Sequence, residues 1–197
     1  YTTLFRSNEG FATAGGVQYV ACAGNFKDAG LEYTGALKVL QMIFSYEYLW
    51  IQIRVKGGAY GCMCSFSDQG DSMFVTYRDP NLSESYKVYD EAADYVADFD
   101  ADDRDMKKYI IGTIGSMDMP MEAVDMGARS FHAYFLGKTE AELQKVRDQV
   151  LSCTQEDIRA LAPIVKAVVE AGNRCCIGNE EKIDQNKEYF DEVKHVL

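Results

Sequence analysis

The sequence is poor in histidine and in positive charge. Its 197 residues include only two histidines, His132 and His195, and they do not stand in H-E-x-x-H or in the inverted H-x-x-E-H, where a helix presents two imidazoles to zinc. Both are read as structural. The six cysteines contain no C-x-x-C spacing, and six in a chain this long do not make a disulfide framework. They are read as reduced and mostly buried, which implies a reducing compartment, with the cytoplasm expected. Positive charge is scarce as well: 20 Lys and Arg against 31 Asp and Glu give a net charge of −11, which argues against nucleic acid as a partner. No long apolar run marks a membrane span, and neither a signal peptide nor a basic tail is expected. The chain starts at Tyr1 rather than methionine, and the expectation is a fragment of a longer protein. The three prolines read as boundaries: Pro80 after a strand, Pro120 after a helix, Pro163 beside a kink or break.

Close to half of the sequence is hydrophobic (47%) and 26% is charged, an ordinary globular balance with enough length for a sizeable core. Residues 1–16 read as a lead-in with at most a short edge strand near Phe11. A strand is expected over Val17–Ala23, then a helix Gly35–Phe44 capped by Thr34. Its two stripes, Leu37/Leu40/Phe44 and Val39/Met42/Ile43, call for cover on both sides. Ser45 is the expected cap of the next helix. Strands Tyr60–Phe66 and Ser72–Tyr77, joined by SDQGD, read as a hairpin that places Cys62 and Cys64 on one face. Asn81 and Glu84 resemble a capping box before a stripe of Leu82, Tyr86, Tyr89, Ala93 and Val96. Helices then follow on Met106/Ile110/Ile114/Met117, on Val124/Ala128/Phe131/Phe135, behind the Thr139/Glu142 capping box, and from Thr154. A strand from Asn173 to Gly178 and a helix lined by Ile183, Phe190, Val193 and Leu197 close the chain. The order implies one α+β domain, residues 1–197: a mostly antiparallel sheet with helices packed on one face.

The most informative stretch is YLWIQIRVKGGAYG, Tyr48 to Gly61. A helix carrying Leu49, Trp50 and Ile53 should stop at Gly57-Gly58, because glycine accepts the left-handed turn that closes a helix C-terminus. The result is a helix–glycine–strand corner with one cation, Arg54, and one phenol, Tyr60, as a candidate carbonyl or oxyanion clamp. A plainer reading stands beside it: Arg54 and Lys56 favour the helix dipole, and Tyr60 is an ordinary strand tyrosine. A phosphate loop is disfavoured, since the glycines follow a helix instead of preceding one.

IRVKGGAYG, YRDPN at Tyr77–Asn81 and YIIGTIG at Tyr109–Gly115, with NEGF and VQYVACAGNF near the start and EVKHVL at the end, resemble the C-terminal domain of the presequence protease subfamily of pitrilysin/insulinase-type zinc metallopeptidases. The resemblance covers nearly the whole chain and departs at Ile51, where a polar or basic residue is common. It implies a fold of the LuxS/mitochondrial-processing-peptidase type, one of four related domains around a closed chamber. It also implies that zinc and the general base sit in an N-terminal half absent here, so that zinc belongs to the parent enzyme and is not bound by this chain. The implied partners are that N-terminal half and unfolded peptide substrates. Arg54 and Tyr60 fall on the pair that holds the substrate carbonyl, with Gly57 and Gly58 as substrate-binding neighbours. A mitochondrial matrix or plastid stroma is the alternative compartment. A non-catalytic scaffold on the same fold, or an independent peptide-binding module, are the competing readings.

Overall fold

The computed structural model describes residues 8–196. Strands β1 (Glu9–Thr13), β2 (Tyr19–Asn25), β3 (Gly61–Phe66), β4 (Asp71–Tyr77), β5 (Asn173–Asn179) and β6 (Glu192–His195) form one sheet in the order β3-β4-β2-β5-β1-β6. β3, β4, β2 and β5 pair antiparallel, while β1 lies parallel to both β5 and β6. The sheet is therefore mostly antiparallel with a parallel end. Nine α-helices are described: α1 (Ala36–Tyr46), α2 (Ser83–Asp90), α3 (Ala92–Ala97), α4 (Asp103–Met117), α5 (Ala123–Phe135), α6 (Glu140–Leu151), α7 (Gln155–Arg159), α8 (Ala162–Glu170) and α9 (Glu180–Gln185).

Strand alternation decides which face they cover. Val20 and Cys22, Cys64 and Phe66, Phe74 and Thr76, and Cys176 point inward and are buried, while Tyr19, Met63, Met73, Tyr77 and Ile177 point to the other face and stay exposed. Helices α1, α2 and α8 pack on the inner face. The anticipated two-sided cover of α1 is found: it meets β3 on one side and α4, α6 and α7 on the other. Its Phe44 is the hub of the aromatic core, with Tyr48, Phe66, Phe74 and Tyr95 rings 5.8 to 6.4 Å away; such pairs contribute about 0.5–1.5 kcal/mol each beyond burial. The buried phenols of α2 are satisfied by the sheet, Tyr86 Oη donating to Cys175 O at 3.1 Å and Tyr89 Oη to Val20 O at 3.1 Å.

Several local expectations are corrected. β1 is no edge strand or part of a lead-in; it lies between β5 and β6, its pairing partners being distant in sequence. Residues 1–7 lie outside the described set, as does Leu197. The expected C-terminal helix is instead the short α9 followed by strand β6, whose start is held by Asp191 N and Glu192 N donating to Asn8 O at 2.8 and 3.2 Å. Ser45 caps nothing: it lies inside α1, its hydroxyl donating to Gln41 O at 2.7 Å. Gly35, not Thr34, occupies the N-cap of α1, where its N–H donates to Gln149 Oε1 at 2.8 Å. Leu82 occupies the N-cap of α2 without a side-chain cap, because Asn81 turns its amide to Gly57 O, 2.6 Å away. The capping boxes at Thr139/Glu142 and Thr154/Asp157 do form.

Candidate functional site

The corner between α1 and β3 is wider than an α-helix. Trp50–Lys56 is π-helical, with Gly57 N donating to Gln52 O at 3.0 Å, five residues back. Leu49 and Ile53 anchor its inner side in the core. Gly58 then turns left-handed, at φ 82°. A Cβ at Gly57 would lie 2.5 Å from Ile53 O, so only glycine lets the chain leave the helix this tightly. The N–H groups of both glycines are used within the corner, that of Gly58 donating to Arg54 O at 3.0 Å.

A hydrogen-bonded strap holds the corner to the sheet. Asn81 Nδ2 donates to Gly57 O, and Tyr60 N to Arg78 O at 3.3 Å. Arg78 has φ 49°, the described non-glycine residue in the left-handed region. Behind it Asp79 is buried, its carboxylate accepting from Asn81 N at 2.9 Å and from Ser85 Oγ at 2.6 Å, while its backbone exchanges two hydrogen bonds with Gln18. Burial pushes the Asp79 carboxyl above its ordinary range, against the opposing pull of these donors.

Arg54 and Tyr60, predicted from the sequence as a pair, are brought together here. The guanidinium carbon of Arg54 lies 4.5 Å from the Trp50 ring centroid and 5.5 Å from that of Tyr60. Arg54 is half-buried, Tyr60 is 65% exposed, and Arg54 has no carboxylate within ion-pairing distance among the described residues. Cation–π contacts of this kind contribute about 0.5–1 kcal/mol at exposed sites, enough to orient the side chain while leaving its N–H groups open. Tyr60 continues into Tyr77 and Tyr77 into Tyr19, at centroid distances of 5.8 and 5.5 Å. An aromatic track thus leads from Arg54 onto the open face of the sheet. The sequence reading missed Trp50, Tyr77 and Tyr19 as parts of this site. Trp50, four residues before Arg54 and so on the same side of a helix, was a usable signal.

Other candidate chemistry is not brought together. His132 is exposed on α5, whose apolar stripe is exposed with it, and His195 is exposed on β6 with Nδ1 3.2 Å from Glu180. Among the described residues no group of three or more His, Cys, Asp and Glu side chains is arranged to hold a metal ion, so the residues present do not fit zinc. All six cysteines are free, and Cys22, Cys64, Cys153 and Cys176 are buried. Burial raises the Cys22 thiol to about 11 and the Cys62 thiol to about 11, the latter despite the pull of Arg54, which keeps both protonated and poor nucleophiles at neutral pH.

A family model described as the PreP C-terminal domain matches residues 8–179. Protein HypA of Clostridium perfringens is 42% identical over 194 residues, covering 98% of this chain and 20% of its own length. Presequence protease 1, chloroplastic/mitochondrial, of Arabidopsis thaliana is 34% identical over 194 residues, covering 96% of this chain and 18% of its own length. The chain spans about a fifth of the length of these curated relatives. Among solved structures, a peptidase M16 inactive domain from Pseudomonas fluorescens superimposes with a TM-score of 0.61 at 17% identity, over 88% of this chain and 43% of that one. Pitrilysin superimposes with a TM-score of 0.54 at 13% identity, over 87% of this chain and 19% of that one. At these identities the structural likeness is one of fold. With the family match spanning most of the chain, the protein belongs to the presequence protease (PreP) C-terminal domain family.

Proposed function

We propose that this chain is the substrate-clamping domain of a zinc metallopeptidase that degrades unfolded peptides in a closed chamber. Arg54 and Tyr60 bind the scissile carbonyl, while zinc and the general base come from the N-terminal half of the longer polypeptide. The observation that carries this reading is the state of Arg54: a guanidinium held between two aromatic rings, free of any carboxylate among the described residues, on the rim of an uncovered sheet face. A cation that merely solubilises a surface has no need of such holding.

The roles follow from the donors. The Tyr60 phenol donates a hydrogen bond that strengthens as the carbonyl oxygen gains charge, a contribution made mainly in the transition state. The planar fork of Arg54 holds the peptide backbone and the Tyr60 ring in register. Gly57 and Gly58 are the proposed substrate-binding neighbours, since the tight turn they allow sets the exposed phenol beside Arg54. The compartment, cytoplasmic or else a mitochondrial matrix or plastid stroma, belongs to the same proposal. Six relatives are named for mitochondria or chloroplasts.

The test is steady-state kinetics of the full-length enzyme on a fluorogenic peptide. Tyr60→Phe should lower kcat by about 100- to 1000-fold, the scale of losing an oxyanion donor, with metal content unchanged. Arg54→Ala should also raise KM, and Arg54→Lys should restore activity only in part. A kcat near wild type in Tyr60→Phe would reduce the corner to a helix-to-strand turn and favour the scaffold reading.

A further inference from the structure

Helix α5 keeps its apolar stripe out of the core of its own domain. At about 100° per residue, Val124, Ala128, Phe131 and Phe135 fall in one sector, with Asp125, Arg129 and His132 in the sector beside it. Another side of the helix, with Arg129, Ala133 and the capping Leu136, lines a cavity of about 740 Å3 that Lys38, Phe66 and Val146 also wall. The apolar side faces out, leaving Val124 79%, Phe131 61%, Tyr134 81% and Phe135 68% exposed. These are not scattered side chains. The Phe131 and Phe135 rings lie 4.4 Å apart and Tyr134 lies 5.8 Å from Phe135, which makes a continuous patch. No residue of α5 is buried. A helix of this length is marginal in water by itself, and an exposed aromatic patch of this extent marks an interface.

We infer that the outward face of α5 docks against an apolar surface of the N-terminal remainder of the longer polypeptide. This rests on the proposed reading of the chain as one domain of that polypeptide, and it names the surface that joins them. Length argues for this occupant. The curated relatives match 98% and 96% of this chain, yet the chain makes up only 20% and 18% of their length. Most of such a polypeptide therefore lies outside this domain and is tethered to it. A tethered surface competes at an effective concentration on the order of millimolar, far above that of a second free molecule. Substrate is the wrong occupant on position: the cavity under α5 is walled by inward-facing Phe66 and by Lys38 of α1, which puts α5 with the helices, whereas Arg54 and Tyr60 border the open face.

The experiment places photo-reactive benzoylphenylalanine at position 131 of the full-length protein, an exposed site that tolerates the larger ring. Irradiation should give a cross-link within one polypeptide, mapped by mass spectrometry to residues outside this domain. A cross-link between two polypeptides, a cross-link to added peptide substrate, or no cross-link at all overturns the inference. The same probe at Met63, on the open sheet face, reports separately on the proposed function. Labelling of added peptide from position 63 without an intramolecular link from position 131 removes the docking surface alone. Absence of peptide labelling from position 63 counts against the clamp, whatever position 131 shows.

Discussion

Asp79 carries the corner at the scale of single residues. It is buried, yet it accepts from Ser85 and from the Asn81 backbone, so it joins the start of α2 to the loop that holds Gly57. Its carboxyl is pushed above the ordinary value of 3.8 by burial. The folded protein thus prefers it protonated more than the unfolded chain does. Its contribution to stability is complete below 3.8 and is lost as pH rises through the raised folded value. Asp79→Asn removes this titration and keeps an acceptor for Asn81 N and a partner for Ser85. Melting temperatures of the two proteins across a pH series should therefore converge in the variant's favour from pH 3.8 upward and then run parallel. A difference independent of pH would mean the carboxyl titrates normally. Gly58 makes a second test: at φ 82°, Gly58→Ala should destabilise by about 1 kcal/mol, read from chemical denaturation.

At the scale of elements, the strap from Asn81 to Gly57 is the contact that fixes where Arg54 and Tyr60 stand. Asn81→Ala should cost about 1 kcal/mol of unfolding free energy, the net worth of a typical hydrogen bond, read by chemical denaturation, and should lower kcat more than it raises KM, since it leaves the clamp intact but less firmly aimed. Equal kcat in the variant would show that the corner is rigid without it. The sequence made the corner itself legible because its signals are local: a paired glycine, a cation before it and an alternating strand after it. It misassigned Asn81 for a related reason. Asn81 and Glu84 have the spacing of a capping box, and only the folded chain brings Gly57 O close enough to take the Asn81 amide. The π-helical turn was illegible, because Leu49, Trp50 and Ile53 suit either pitch. The interior place of β1 and the whole of β6 were not foreseen, because their pairing is settled between opposite ends of the chain, where Asn8 meets Asp191 and Glu192. Val193 and Phe190 kept a helical spacing by coincidence.

On the scale of the whole molecule, the sheet has one face in the core and one without cover among the described residues, and the second is apolar where β2, β3, β4 and β5 meet. Tyr19, Met63, Met73, Tyr77 and Ile177 lie on it, all exposed, continuous with the aromatic track from Arg54. Because neither methionine is in the core, replacing both costs the domain little. Their proposed use is against peptide, where flexible thioethers adapt to side chains of many shapes. Met63→Glu with Met73→Glu in the full-length enzyme should raise KM several-fold for apolar peptides and leave the melting temperature within about 2 °C of wild type. Basic peptides should suffer less, since the new carboxylates attract them, and that difference should shrink as salt is added. Kinetics on an apolar and a basic peptide of equal length, at low and high ionic strength, measures both effects. An unchanged KM for the apolar peptide would show that the substrate does not rest on this face of the sheet and that the clamp at Arg54 and Tyr60 receives it from another direction.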